Sequence, residues 1–290
     1  MTVFRLAFRF AVSIILPGLF LLSNAADTLP AAKPPLEAVE VAELSSGTEQ
    51  LDLFLLIGQS NMKGRGIMPE EPMRDPQIVA MHLTTDEWFL ARHPLHLIGS
   101  PEDFSGQDNA GVGPGLMFAA TLKIAQPKVR IGLIPSAKGG SNIGQWRKGR
   151  SLYDEAVRRT KLALSQGPAG KTRIAGVLWL QGESDATNEQ GAERYPGALG
   201  ELIDNLRADL DSPELPFVAC TIGEMKEKRV EQLKEINAIL LDIESLRPHA
   251  ACVDSREFAN HIGDGVHFDT ATQEEHGRRY AAKYLELTRE

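Results

Sequence analysis

Five short apolar runs alternate with amphipathic segments along most of this chain, and this alternation restricts its fold more than any other feature. Each run is apolar at successive positions, which predicts strands buried on both faces. Strands of this kind, separated by helices, are typical of a parallel sheet that is covered on both sides. We therefore predict a doubly wound α/β fold with a five-stranded parallel sheet flanked by helices. The predicted strands are residues 51–57, 129–135, 174–180, 217–222 and 251–254.

Helical periodicity marks three of the segments that separate or follow these strands. Apolar residues three or four positions apart lie on one face of a helix, and that face packs against the sheet. A last helix is predicted over about residues 272–287. The two other helices are predicted from the stripes Leu199, Leu202, Ile203, Leu206 and Leu210, and Val230, Leu233, Ile236 and Leu240.

The first 26 residues have the pattern of a signal peptide. Two arginines precede an apolar run over 11–22, and small residues follow it. The run is shorter than a membrane span and contains Pro17. We predict export to the periplasm or the medium without integral membrane association, with an uncleaved anchor as the alternative. Residues 27–50 are rich in Pro, Ala and Glu and predict a flexible linker, so the globular domain would span 51–290.

The charge balance and the cysteine count narrow the classes of partner. The chain has 31 Lys and Arg against 39 Asp and Glu, and loss of the two leader arginines would raise the acidic excess from 8 to 10. An acidic surface argues against nucleic acid as a partner. Cys220 and Cys252 are too few for a disulfide scaffold, and one bond between them or two free thiols both remain open.

Polar residues follow the predicted strands, at the edge where doubly wound sheets place their ligands. Ser60 follows the first strand, within the string GQSNM, and is either a nucleophile or a helix N-cap. This string is not the G-x-S-x-G elbow of α/β-hydrolases. Gly139 and Gly140 follow the second strand and offer backbone N–H groups to a developing oxyanion. Gln181 follows the third strand, where its side chain offers a further donor.

Asp264 and His267 lie three residues apart in a glycine-containing loop beyond the fifth strand. One turn can bring the carboxylate to one imidazole nitrogen, which leaves the other nitrogen free to take a proton from a serine. A surface capping pair would have the same spacing. The co-occurrence of a hydroxyl, glycine amides, an amide donor and an Asp/His pair after four strands favours a catalytic arrangement.

These strings together resemble the SGNH hydrolase superfamily, a flavodoxin-like fold. GQSNM, GG, QGESD and DGVH occur in that order, and they are most similar to the sialate O-acetylesterase and acetyl-xylan esterase group. The resemblance covers nearly all of residues 51–290 and implies Ser60 as nucleophile, with Asp264 and His267 as its partners. It also implies an oxyanion hole formed by the Ser60 and Gly140 backbone and the Gln181 side chain, with Gly139 in place of Gly140 left open. In the third motif, QGESD, the superfamily usually has Asn where this sequence has Gln181. The carbohydrate-esterase branch also has Gln at that position.

The expected activity is hydrolysis of acetyl esters on a carbohydrate, with the acetylated carbohydrate as the partner and no cofactor. The remaining histidines lack the spacing of a zinc site, so no metal is predicted. A non-catalytic carbohydrate-binding protein on the same fold and a lipid- or aryl-directed esterase are the alternatives. Residues near the motifs that are candidates for substrate binding are Gln59, Asn61, Arg65, Trp146 and Glu183.

Overall fold

A computed structural model of the chain describes residues 42, 44, 49–71, 73–96, 110–223, 230–258 and 260–289. These residues belong to one unit, Pro34–Glu290. The predicted signal segment, 1–26, lies outside the described residues, as does most of the predicted linker, 27–50. Two linker residues pack on the domain: the Ala42 N–H donates to the Trp88 carbonyl over 2.9 Å, and Leu44 is buried in the core.

The elements alternate between strands and helices, as the apolar runs predicted. Short 3₁₀ turns at Ile143–Trp146 and Asp185–Thr187 lie between the longer elements. The strands are β1 Gln50–Gly58, β2 Ile78–Met81, β3 Trp88–Leu90, β4 Val129–Pro135, β5 Thr172–Leu180, β6 Phe217–Cys220 and β7 Ala250–Val253. The helices are α1 Ser60–Lys63, α2 Pro114–Ala125, α3 Ser151–Gln166, α4 Glu189–Asp209, α5 Val230–Leu241, α6 Ile243–Leu246 and α7 Thr270–Leu287.

The described part of the chain forms a seven-stranded sheet in the order β3-β2-β4-β1-β5-β6-β7. All neighbouring strands are parallel except β3, which pairs antiparallel to β2. The five predicted strands and the doubly wound class are confirmed, but the predicted strand count was too low. The two additional strands have four and three residues and form one edge of the sheet. Length alone does not explain why they were missed, because the predicted strands β6 and β7 also have four residues each.

Strand β1 lies in the middle of the sheet and is buried on both faces. Its residues Leu53, Leu55 and Ile57 belong to one apolar cluster, and Phe54 and Leu56 belong to the other. Residues of α3, α4 and α5 cover the first face, and residues of α2 and α7 cover the second. This two-sided burial accounts for the continuous apolar run in the sequence, because helices shield the side chains on both faces of the strand from water.

The predicted helical stripes are confirmed with one exception. The α4 stripe is buried, and so are three residues of the α5 stripe, whereas Val230 is 48% exposed because it is the first residue of its helix. The last helix begins two residues earlier than predicted, after Asp269, whose side chain caps it by accepting from the Thr272 N–H. None of the helices in the described ranges has the length and apolar character needed to cross a membrane.

The two cysteines point to opposite faces of the sheet. They lie on the neighbouring strands β6 and β7, where Ala219 pairs with Cys252 and Cys220 pairs with Val253. Cys220 packs in one apolar cluster and Cys252 against the other. Successive strand residues face opposite sides, so a disulfide would require one strand to be rebuilt. Both cysteines are free, which resolves the alternatives left open by the sequence.

We expect thiol titration under non-reducing conditions to find both thiols only after unfolding. Burial raises the pKa of the Cys220 thiol to about 12 and that of Cys252 well above its usual value, which keeps them unreactive in the folded protein. An aromatic disulfide reagent should therefore label two thiols per chain in denaturant and few in buffer. Absence of labelling in denaturant would contradict this geometry.

Candidate active site

Four loops at the carboxyl ends of the parallel strands form the candidate active site. They follow β1, β4, β5 and β7, and they carry Ser60, the Gly139–Gly140 pair, Gln181 and His267 respectively. The site lies around the central strand β1, where sheets of this kind bind their ligands.

The turn before Ser60 depends on a glycine. Gly58 has φ 133°, and a Cβ at this position would lie 2.2 Å from the Leu180 carbonyl oxygen. The Gln59 N–H donates to the same oxygen over 3.0 Å. Only glycine allows this close approach, which turns the chain sharply from β1 into α1 and places Ser60 at the start of the helix.

The Ser60 hydroxyl faces the imidazole of His267. The distance from Ser60 Oγ to His267 Nε2 is 2.9 Å. Gln59 occupies the N-cap position of α1 and no side chain caps this helix, so the N-cap interpretation of Ser60 is wrong. The second imidazole nitrogen, Nδ1, lies 2.5 Å from Asp264 Oδ2. The three side chains thus form one hydrogen-bonded chain from hydroxyl to carboxylate, which is the geometry that general-base activation of a serine requires.

Asp264 is held ionised by its own loop. Partial burial disfavours its charge, but the His267 N–H, the His267 ring and the Val266 N–H all donate hydrogen bonds to the carboxylate and outweigh burial. The pKa of Asp264 falls to about 2 as a result. The carboxylate is therefore charged at neutral pH and keeps the proton of a neutral imidazole on Nδ1, which leaves Nε2 as the acceptor toward Ser60.

Of the two glycines after β4, Gly139 lies beside Ser60. A Cβ added to Gly139 would lie 3.7 Å from Ser60 Cβ and 3.7 Å from Arg65 Nη2, whereas one added to Gly140 would meet nothing within 4 Å. Gly140 adopts φ 73°, which glycine favours. The Gly139 backbone thus lies close to Ser60, and the oxyanion role of Gly140, with Gly139 as the alternative, stays a prediction. Burial lowers the pKa of the Arg65 guanidinium. The negative charge of Asp264 opposes this shift without cancelling it.

The Gln181 amide is fully buried and already has two acceptors. Its Nε2 lies 3.0 Å from the Ser141 carbonyl oxygen and 2.6 Å from Asp185 Oδ2. An amide nitrogen carries two hydrogens, so both are used. Gln181 thus braces the loops after β4 and β5, and donation to an oxyanion would require one of these bonds to break. Its oxyanion role stays a prediction.

Comparison with known proteins identifies the family. The model of a family described as "Carbohydrate esterase, sialic acid-specific acetylesterase" matches residues 50–286. The chain belongs to this carbohydrate esterase family. A protein of Arabidopsis thaliana named as a probable carbohydrate esterase is 33% identical over 267 residues, which cover 84% of this chain and 94% of the relative. The family match confirms the predicted resemblance to SGNH-type carbohydrate esterases.

Two solved structures share the fold of this family member. An Arabidopsis thaliana protein superposes with a TM-score of 0.69 at 30% identity, covering 82% of this chain and 98% of that structure. A protein named NanS superposes with a TM-score of 0.66 at 17% identity, covering 82% and 98% respectively. At this identity the second similarity concerns the fold alone.

Four of the five residues predicted to bind substrate instead hold this esterase domain together. Gln59, Asn61 and Glu183 are at most 4% exposed, and the Glu183 carboxylate accepts from both of the other side chains. Trp146 is 1% exposed, donates from Nε1 to Ser141 Oγ over 3.0 Å and contacts Trp179 edge-to-face. A buried, bonded side chain offers no surface to a sugar, so these expectations are corrected. Arg65 is partly exposed, and its substrate role stays a prediction.

Asp185 was not assigned a role from the sequence, although it brings the site loops together. Its carboxylate accepts from Gln181 Nε2 and from the Ile143 N–H over 2.9 Å. Burial raises its pKa, against these hydrogen bonds, which lower it. The sequence signal that could have identified Asp185 is an acidic residue shortly after a strand that is apolar on both faces.

Within the described ranges, the His, Cys, Asp and Glu side chains form no group of three that could hold a metal ion.

We expect Gln181→Ala to lower the melting temperature. The substitution removes the side-chain donor of the Ser141 carbonyl and one of the two donors of the Asp185 carboxylate, at a cost of about 1–3 kcal/mol. For a domain of this size the midpoint should fall by roughly 2–12 °C. Thermal unfolding and steady-state kinetics should be measured on the same variant. An unchanged midpoint would contradict the bracing role, and an unchanged kcat would remove Gln181 from the oxyanion hole.

Proposed function

We propose that this family member is a serine esterase that hydrolyses O-acetyl esters on a carbohydrate through an acetyl-enzyme intermediate. The observation that carries the proposal is the hydrogen-bonded chain Ser60–His267–Asp264, with links of 2.9 and 2.5 Å. A serine whose hydroxyl faces an imidazole, which in turn faces a carboxylate, is the arrangement that activates a hydroxyl for acyl transfer.

The reaction has two steps. Ser60 Oγ attacks the acetyl carbonyl while its proton passes to His267 Nε2. The tetrahedral intermediate then collapses, the bond to the sugar oxygen breaks, and the imidazolium returns the proton to that oxygen. Water attacks the acetyl-enzyme with His267 again as base, which releases acetate and restores Ser60. Asp264 stabilises the imidazolium formed in both steps.

Backbone N–H groups supply the oxyanion hole in this proposal. The proposed donors are the Ser60 amide and an amide of the Gly139–Gly140 pair, and Gly139 lies beside Ser60, where a glycine lets the backbone approach the reacting carbon. Loss of one donor to an oxyanion costs about 2.7–4 kcal/mol in barrier height in a known enzyme, so two backbone donors supply a large share of the acceleration.

An acetylated carbohydrate is the proposed substrate. The description of the matching family names sialic acid, and the relative that is 33% identical is named as a probable carbohydrate esterase. Acetate release from acetylated xylan, O-acetylated sialic acid and other acetylated glycans tests this proposal and ranks the substrates. We expect release from at least one glycan. Release only from aryl or lipid esters would favour the other esterase class, and no release from any ester would favour a binding protein.

The proposed site of action is outside the cytoplasm. The proposal rests on the leader pattern in residues 1–26, namely two arginines, an apolar run and small residues at its end. Fractionation of the producing cells, with N-terminal sequencing of the exported chain, tests it. A chain that begins at Met1 in the membrane fraction would favour the anchor.

A further inference from the structure

Asn61 is the residue directly after Ser60, and its side chain makes three hydrogen bonds. Nδ2 donates to Glu183 Oε1 over 2.6 Å and to the Val266 carbonyl over 3.1 Å. Oδ1 accepts from the Phe268 N–H over 3.1 Å. The side chain has no exposed surface. Every bond is therefore made inside the protein, where a lost partner is costly.

Two of these bonds flank the base. Val266 and Phe268 are the neighbours of His267, and Asn61 holds the carbonyl of one and the N–H of the other. One side chain thus connects the segment that carries the nucleophile to the segment that carries the imidazole, across 207 positions of sequence.

The loop that carries His267 is closed at its base by a backbone bridge between His261 and Phe268, and the Ile262 N–H donates to the His267 carbonyl over 2.9 Å. Ile262, Gly263 and Asp264 are exposed and belong to no helix or strand. Gly263 and Gly265 have φ 105° and 76°, so the backbone there is glycine-dependent. These bonds hold the loop to itself, whereas the two bonds from Asn61 connect its backbone to the segment that carries Ser60.

Glu183 fixes the orientation of the Asn61 amide. Its carboxylate and the Val266 carbonyl are acceptors, so they require the amide nitrogen, while the Phe268 N–H requires the amide oxygen. The same carboxylate accepts from Gln59 Nε2. Glu183 thereby holds the residues on both sides of Ser60.

We propose that Asn61 is a positioning residue that sets the distance between Ser60 Oγ and His267 Nε2, and that Glu183 orients it for this role. The inference rests on the proposed serine esterase function. It assigns Asn61 no contact with substrate. A misplacement of about 1 Å between reacting groups costs about 10²-fold in rate, so the effect belongs in kcat.

The chain offers a matched control for an Asn61 variant. Asn237 on α5 is also buried, at 4% exposure, and it also bonds the N–H and the carbonyl of a loop, both from Ile222. Asn61→Ala and Asn237→Ala therefore both remove a buried amide that holds a loop backbone. We expect both to lower the melting temperature, whereas only Asn61→Ala should lower kcat for 4-nitrophenyl acetate, by about 10²-fold with KM unchanged. Equal kcat in the two variants would overturn the inference.

A charge-matched pair of variants keeps the test decisive if Asn61→Ala does not fold. Asn61→Asp has the same shape and keeps the acceptor for Phe268, but it places a carboxylate against Glu183 and against the Val266 carbonyl, and a change at Glu183 can relieve only the first of these contacts. Adding Glu183→Gln supplies an amide that can donate to the new carboxylate and still accept from Gln59. We expect the double variant to exceed Asn61→Asp in kcat by about tenfold. No recovery would overturn the role of Glu183.

Ser60→Ala, assayed in parallel, separates failure of this inference from failure of the proposed function. An active Ser60→Ala variant would refute the serine mechanism itself. An inactive Ser60→Ala variant together with a fully active Asn61→Ala variant would refute only the positioning role of Asn61.

Discussion

Replacement of Ser60 by Ala is expected to reduce kcat for acetate release by about 10⁶-fold and to leave the folded state intact. The substitution removes the oxygen that forms the acetyl-enzyme, so no alternative group can complete the first step. It deletes one side-chain hydrogen bond, to His267, and creates no large cavity. Stability should therefore change by only about 1 kcal/mol. Acetate release and thermal unfolding on purified protein measure both quantities.

The same experiment extends to His267 and to a control serine. His267→Ala should be about as slow as Ser60→Ala, and the double variant should be no slower than either, because the two residues act as one unit. Ser255→Ala also removes a buried hydroxyl, one that bonds Thr221, and should retain activity. A double variant far slower than both single variants would show that Ser60 and His267 act independently.

Replacement of Asp264 by Asn is expected to reduce kcat by about 10⁴-fold at neutral pH. An Asn amide can donate to His267 Nδ1, which would move the proton of the neutral imidazole to Nε2. That nitrogen could then no longer accept the proton of Ser60. The measurement is kcat at pH 7, with a check by circular dichroism that the variant is folded. A fall of less than tenfold would mean that Asp264 does not control the tautomer.

The Asp264 carboxylate should also give a pH-dependent difference in stability. Its pKa is lowered to about 2 in the folded protein, against about 4 in an unfolded chain. A group with a depressed folded pKa stabilises the protein above its unfolded value, and this contribution disappears as pH falls toward the folded value. The melting-temperature difference between the parent and Asp264→Asn should therefore shrink between pH 5 and pH 2. A melting-temperature difference that stays constant over this pH range would refute the hydrogen bonds from His267 and Val266 to the Asp264 carboxylate.

The sequence predicted the central part of the sheet well and its edge poorly. Strands β1, β4 and β5 are long apolar runs because helices cover both of their faces, so composition alone reveals them. Strands β2 and β3 have four and three residues, and β3 pairs antiparallel. Strand β2 joins the sheet by pairing with β4, which is distant in sequence, and β3 joins it through β2. No local pattern reports such contacts.

The sequence predicted that three side chains of the candidate site would meet, but it predicted the directions of the neighbouring side chains only in part. The Ser60, His267 and Asp264 side chains do lie together, since strand ends of a parallel sheet converge on one edge. For residues next to the motifs, a single backbone turn decides whether a side chain faces the cleft or the interior. Asn61 faces the interior, although it was expected to contact substrate, whereas the partly exposed Arg65 remains available for that contact.

In the proposed mechanism, the separation of 207 residues between Ser60 and His267 makes hydrolysis depend on completion of the chain. A nascent or proteolytically shortened polypeptide that ends before the DGVH loop would contain the serine without its proton acceptor. Such a fragment would be inert toward esters, even if the strands preceding that loop had already paired. Recovery of acetate release during refolding should therefore report docking of the C-terminal segment, whereas far-UV circular dichroism would register earlier events. The rate at which acetate release recovers would therefore measure how fast the C-terminal segment reaches its native position.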